Sequence, residues 1–191
     1  MIHQAISHII KTLNNYLQIK IAEADKVVAN SLVSQDGSLQ SNIDNKIVVS
    51  LVNIEEERIA RNPDMYRKQP DGSLALVTPE IKLNLYLLFS AYFPNDYNEA
   101  LKMLSLLIAY FQKMKQFTTA NSPDLPPQLQ NLSVELFTLG LEQQNHLWGA
   151  LGAKYIPSVV YKMRLVPIVD DEITGIGDSI TEITINEPKS D

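Results

Sequence analysis

At 191 residues the chain has the length of one ordinary domain with a good-sized core, and its 45% hydrophobic and 20% charged content is that of a soluble globular protein. Sixteen Lys and Arg against 22 Asp and Glu leave a net charge of −6, with the basic residues scattered, which argues against a nucleic-acid partner held by phosphate neutralisation. With no cysteine, disulfide frameworks, thiolate catalysis and sulfur-ligand zinc sites are all excluded.

No apolar run approaches the roughly 20 residues that cross a bilayer, and MIHQAISHIIKTLNNYLQIK is an interrupted amphipathic pattern without the apolar core of a signal peptide. The expectation is a cytoplasmic protein with no membrane partner. In residues 2–24, Ile2, Ile6, Ile9, Leu13, Leu17, Ile21 and Ala24 recur at helical spacing opposite His3, Gln4, Ser7, Lys11 and Asn14, which predicts an amphipathic helix. Val27 to Ala29 reads as a short strand, and SLVSQDGSLQSNIDN as a mobile connection.

KIVVSLVNI, residues 46–54, is apolar on both alternating sets and predicts a central strand covered on both faces. ARNPDMYRKQPDGSLALVTPE, with three prolines and an Asp-Gly, predicts a long excursion. IKLNLYLLFSAYF then alternates Ile81, Leu83, Leu85, Leu87, Phe89 and Ala91 against Lys82, Asn84, Tyr86 and Ser90, so one face is expected in the core and the other half wet.

A second helix is expected after Pro94, capped by Asn95, with Tyr97, Leu101, Leu104, Ile108, Phe111 and Met114 as its buried face. Beyond a Pro-rich loop, a strand from Leu132 to Leu139, a short helix from Leu141 to Trp148 and a long strand from Ser158 to Ile168 complete the order α, β, β, β, α, β, α, β. The fold class is α/β in the α+β sense: a single domain, residues 1–170, with a mixed β-sheet packed by two longer helices and one short one. Residues 171–191 form an extended C-terminal arm with a β-like run from Ile180 through Ile183 to Ile185.

The glycines of Gly149-Ala-Leu-Gly152-Ala-Lys154 have the outline of a phosphate loop. Such a loop leaves a strand and enters a helix N-terminus; here a helix precedes, Pro157 and a strand follow, and a helix C-cap explains the spacing better. Glu55, Glu56 and Glu57 could supply paired carboxylates or hold a hard cation, yet no second carboxylate cluster converges on them. A solvated or ion-paired strand end is the preferred reading, with Arg58 and Arg61 as partners and Asn53, Glu57, Arg58, Arg61 and Asn62 as a possible contact set.

His3, His8 and His146 share no metal-binding spacing and read as surface histidines. No serine sits in a G-x-S-x-G elbow. No catalytic residue, metal or cofactor is expected. Trp148, Tyr155, Tyr161 and Arg164 flank or enter the last strand, as interface anchors or as ordinary core residues.

Four segments in the same order carry a resemblance: NKIVVSLVNIEEERIARN, IKLNLYLLFSAYFPNDYNEAL, FQKMKQFTTANSP and LSVELFTLGLEQQNHLWGALGAKYIPSVVYKMRLVPI. From about Ile2 to about Ile168 the chain resembles the cap, or tail-terminator, proteins of extracellular contractile injection systems, which are phage-tail-like particles. The resemblance implies a non-enzymatic protein that forms a ring, a hexamer by expectation, closing the inner tube and meeting the last ring of sheath. Its partners would be further copies of itself, the sheath protein and the tube protein, and it would assemble in the cytoplasm into a particle released from or anchored in the cell.

Carried onto matching positions, Asn53, Glu57, Arg58 and Asn62 belong to the strand-end motif. Trp148, Gly149, Gly152, Tyr155, Pro157, Ser158, Tyr161 and Arg164 belong to the C-terminal one. Sheaths of this type are implied to be knitted by strand exchange, so the Ile180–Ile185 run is expected to pair with a sheath subunit or an adjacent protomer. Two other readings stay open: a phosphate- or small-molecule-binding enzyme using Gly149 to Lys154 with Glu55 or Glu57, and an adaptor elsewhere in the same particle.

Overall fold

The computed structural model describes residues 1–34, 36–57, 66–68, 74–77, 81–129, 131–168 and 173–177. The first helix, α1 (Ile2–Ile21), buries Ala5, His8, Ile9, Leu13 and Leu17 and closes on Ala22, whose left-handed backbone sends its N–H to the Gln18 carbonyl at 3.0 Å. Asn14, expected on the polar side, instead pairs with both backbone groups of Val27 at 2.9 Å. It thereby fastens the helix to the first strand, β1 (Val27–Ala29).

A second strand, β2 (Lys46–Glu56), runs parallel to β1 and antiparallel to a later one, β5 (Ile81–Tyr92). Three further strands complete this sheet: β6 (Gln116–Thr118), β7 (Asn131–Phe137) and β8 (Ser158–Ile168). The six run in the order β1-β2-β5-β8-β7-β6, with every pair but the first antiparallel. The fold is the expected α+β arrangement around a mixed sheet. A separate three-stranded sheet joins β3 (Tyr66–Lys68), β4 (Leu74–Val77) and β9 (Ile173–Gly177). The three strands of the small sheet lie in stretches read from sequence as excursion and tail, and β6 in a stretch to which no element was assigned.

One face of the large sheet is covered by α1 and α2 (Tyr97–Lys113). The α2 cap is Asp96, not Asn95: its Oδ1 accepts the Glu99 N–H at 2.9 Å. The buried stripe is rotated from the expected one and consists of Ala100, Met103, Leu104, Leu107, Tyr110 and Phe111. Tyr97, Leu101 and Ile108 are left exposed, because the small Ala100 rather than Leu101 faces the sheet. Phe89, Phe111 and Tyr161 meet with ring centroids 4.6 to 5.7 Å apart, each such pair adding about 0.5–1.5 kcal/mol beyond its buried area.

The opposite face was expected to be half wet on β5, and there the structure differs. Tyr86, Leu88 and Val160 are covered by Leu32 and Ile43 from the connection after β1, and by Trp148 from α3 (Leu141–Leu151) and Ile156. The polar-looking connection reaches back over the sheet with its few apolar residues, so a second, smaller core forms and Ser90 ends fully buried. Only half of β2 follows the two-face expectation: Ile47 to Ser50 are buried, whereas Leu51 to Glu56 open toward solvent.

Candidate functional site

Where β2 opens, two irregularities bring the polar residues of four strands together. A bulge between Leu51 and Asn53 resets β2 so that Asn53 lies opposite Tyr86 and Glu55 opposite Asn84. A second, between Leu83 and Leu85, adjusts β5 against β8. The result is a ladder of side chains across β2, β5, β8 and β7.

Tyr86 donates its hydroxyl to Glu55 Oε2 at 2.6 Å, and Lys162 stands 3.6 Å from the same oxygen and 5.1 Å from the Tyr86 ring centroid. The Lys162 ammonium is held above the ordinary lysine pKa, first by hydrogen bonding to Tyr86 and then by Glu55. Glu57, almost fully buried, accepts from Asn84 Nδ2 at 3.1 Å and from Arg164 at 3.4 Å. Arg164 extends its other nitrogen to Glu135 at 3.6 Å. Three carboxylates thus face two cations, and each carboxylate has a cationic neighbour.

The sequence offered Arg58 and Arg61 as partners for the acidic run; among the described residues, partners of Glu55 and Glu57 come from β5 and β8. Arg58, Arg61 and Asn62 lie outside the described residues. Asn84, Tyr86, Lys162 and Glu135 were missed, although Asn84/Tyr86 and Lys162/Arg164 show the two-residue spacing that puts polar side chains on one strand face. Such a ladder holds charge in fixed positions; its solvent-screened pairs contribute about 0–1 kcal/mol each.

The C-terminal motif residues divide by environment. Trp148 is in the second core, edge-on to the Tyr155 ring at 5.6 Å, and Tyr155 itself is 57% exposed. Gly152 caps α3 with φ 67°, its N–H reaching the Gly149 carbonyl at 3.1 Å, so the glycines do close a helix as expected. The Pro157 carbonyl accepts the Ala91 N–H at 2.9 Å and Ser158 pairs with Ser90, which sets where β8 enters the sheet. Tyr161 is in the main core, where burial pushes its hydroxyl up to about 12. Gly149 to Lys154 lies at a helix C-terminus, whose partial negative charge does not favour an anion.

His8, expected on the surface, is buried; its Nε2 lies 2.8 Å from Ser122 Oγ and its ring is edge-on to Phe117. Desolvation lowers its pKa, with a backbone hydrogen bond to Asp124 opposing. Among the described residues no group of His, Asp and Glu could hold a metal ion, and no helix is long and apolar enough to cross a membrane. The Ile180, Ile183 and Ile185 run lies outside the described residues.

No curated protein matches this chain in sequence. Its fold is similar to that of the sheath/tube terminator of an extracellular contractile injection system, PVC, solved by cryo-EM in the extended state. The TM-score is 0.66 at 15% identity, over 100% of this chain and 64% of that one. It is also similar to the tube-terminating cap of the anti-feeding prophage, AFP, with TM-score 0.58 at 18% identity, over 94% of this chain and 60% of that one. The chain thus spans less than two thirds of either protein. Residues 6–182 match the model of the Pvc16 N-terminal domain, and the chain belongs to that family.

Proposed function

We propose that this chain is a structural cap of a contractile injection system. Copies of it form a ring, a hexamer by expectation, that closes the inner tube and binds the last ring of sheath, so that no further subunits add. The observation that carries this reading is the likeness of the whole chain to a sheath/tube terminator. Membership of the Pvc16 N-terminal domain family supports it. Assembly would begin in the cytoplasm, before the particle is released or anchored.

The binding elements we assign are the strand end of β2, with Asn53, Glu57, Arg58 and Asn62, and the segment from Trp148 to Arg164. Within that segment Tyr155 is the exposed aromatic. The run from Ile180 to Ile185 would add a strand to a sheath subunit or an adjacent protomer. Removing residues after Gly177, which keeps β9 on β4, should weaken sheath binding; unchanged binding would reject the role of the arm.

The mass of the purified chain, alone and with sheath protein, tests the ring. A closed oligomer that takes up sheath subunits is expected. A monomer that ignores sheath would reject the cap, and a sheath-binding species that never closes would point to an adaptor elsewhere in the particle.

A further inference from the structure

The large sheet narrows at the level of the polar ladder. Pairing of β1 stops at Val49, and pairing of β6 stops at Ser133. Beyond those points, among the described residues, the outer edges of β2 (Leu51 to Glu55) and of β7 (Glu135 to Phe137) pair with no strand. A bare edge presents unpaired N–H and C=O groups, and soluble proteins ordinarily blunt or cover such a template.

Three features make the two edges complementary. Their levels match: the registers put Leu136, Tyr161, Leu87 and Leu51 in one row, and Glu135, Lys162, Tyr86 and Asn53 in the next. Their directions match: three successive antiparallel pairings leave β2 antiparallel to β7, so a sheet repeated from copy to copy would stay antiparallel across the seam. Their chemistry matches: Leu51 and Ile54 are exposed on one edge, Leu136 and Phe137 on the other. The Lys115 carbonyl, bonded to the Val134 N–H at 2.8 Å, stations exposed Lys115 beside β7 in the row of Ile54.

The geometry points to a second copy of this chain as the occupant: the outer edge of β2 in one copy pairs with the outer edge of β7 in the next. Because the two edges differ, the contact is head-to-tail, the kind that closes into a ring. The inference rests on the ring reading above and names the surface that would build it.

The absence of native cysteine allows a direct test with Ile54→Cys and Leu136→Cys, both at exposed positions. Co-expressed and treated with a short bismaleimide, the two single variants should give a cross-linked dimer, and neither variant alone should. Leu136→Glu, which keeps an exposed position exposed in the monomer, should weaken self-association by at least about tenfold with the far-ultraviolet circular dichroism unchanged.

Cross-linking as ready within one variant as between the two would overturn the head-to-tail pairing. Absence of cross-links in a sample whose mass shows a closed ring would overturn this interface and leave the cap reading standing. A chain monomeric at all concentrations, with and without sheath, would overturn both.

Discussion

The two halves of β2 belong to one strand but do different work. From Ile47 to Ser50 it is flanked by β1 and β5, covered by helices on one face and by the Leu32–Ile43 connection on the other. From Leu51 to Glu56 it has lost β1, carries Leu51 and Ile54 into solvent at 39% and 46% exposure, and holds Glu55 in a ladder of opposite charges. Apolar burial holds the first half in place. Backbone groups, exposed apolar side chains and fixed charges make the second half a surface for a neighbour, and the first half supplies its rigidity.

If that division is right, changes in the covered half register as stability and changes in the open half as assembly. The largest effect is expected from Phe111→Ala, which removes a ring packed on Phe89 and Tyr161; it should cost about 3–5 kcal/mol in urea unfolding. Arg164→Leu removes the described cation beside the almost fully buried Glu57, and should lower monomer stability by about 1–3 kcal/mol while also impairing assembly. An intermediate effect is expected from Gly152→Ala, which forces a side chain into a left-handed position and should cost about 1 kcal/mol.

The covered half also predicts a pH dependence. The folded chain disfavours charge on His8, so its folded pKa lies below the ordinary 6.5 and the unfolded chain takes up this proton first as the pH falls. Stability from this site is complete above about 6.5 and is lost as the pH falls through that value toward the folded pKa. Urea midpoints measured from pH 7.5 to pH 5 should fall for the native chain and lose part of that slope in His8→Gln. The smallest effect is expected from Lys154→Ala: within about 0.5 kcal/mol in stability, with no phosphate affinity to lose.

Much of this was legible in the sequence because periodicity reports burial on a single element. The first helix, the strand from Ser158 to Ile168 and the glycine closure of α3 all follow from local patterns. What failed depended on partners distant in sequence. Asn84, Tyr86 and Ser90 read as a wet face because nothing local says that Leu32, Ile43 and Trp148 will cover the region. His8 read as a surface residue because Ser122, its partner, is 114 positions away. The charge ladder was half visible: Glu57 and Arg164 were singled out separately, but their pairing requires a strand order that alternation does not encode. The short strands β3, β4 and β6 have too few residues to show a period.

The most direct test of the central claim is position in the particle. Sheath and tube proteins co-assembled with a gold-labelled form of this chain should carry label at one end of each particle, with lengthening stopped there in electron micrographs. Label along the shaft, or particles that bind none and lengthen unchanged, would contradict the cap.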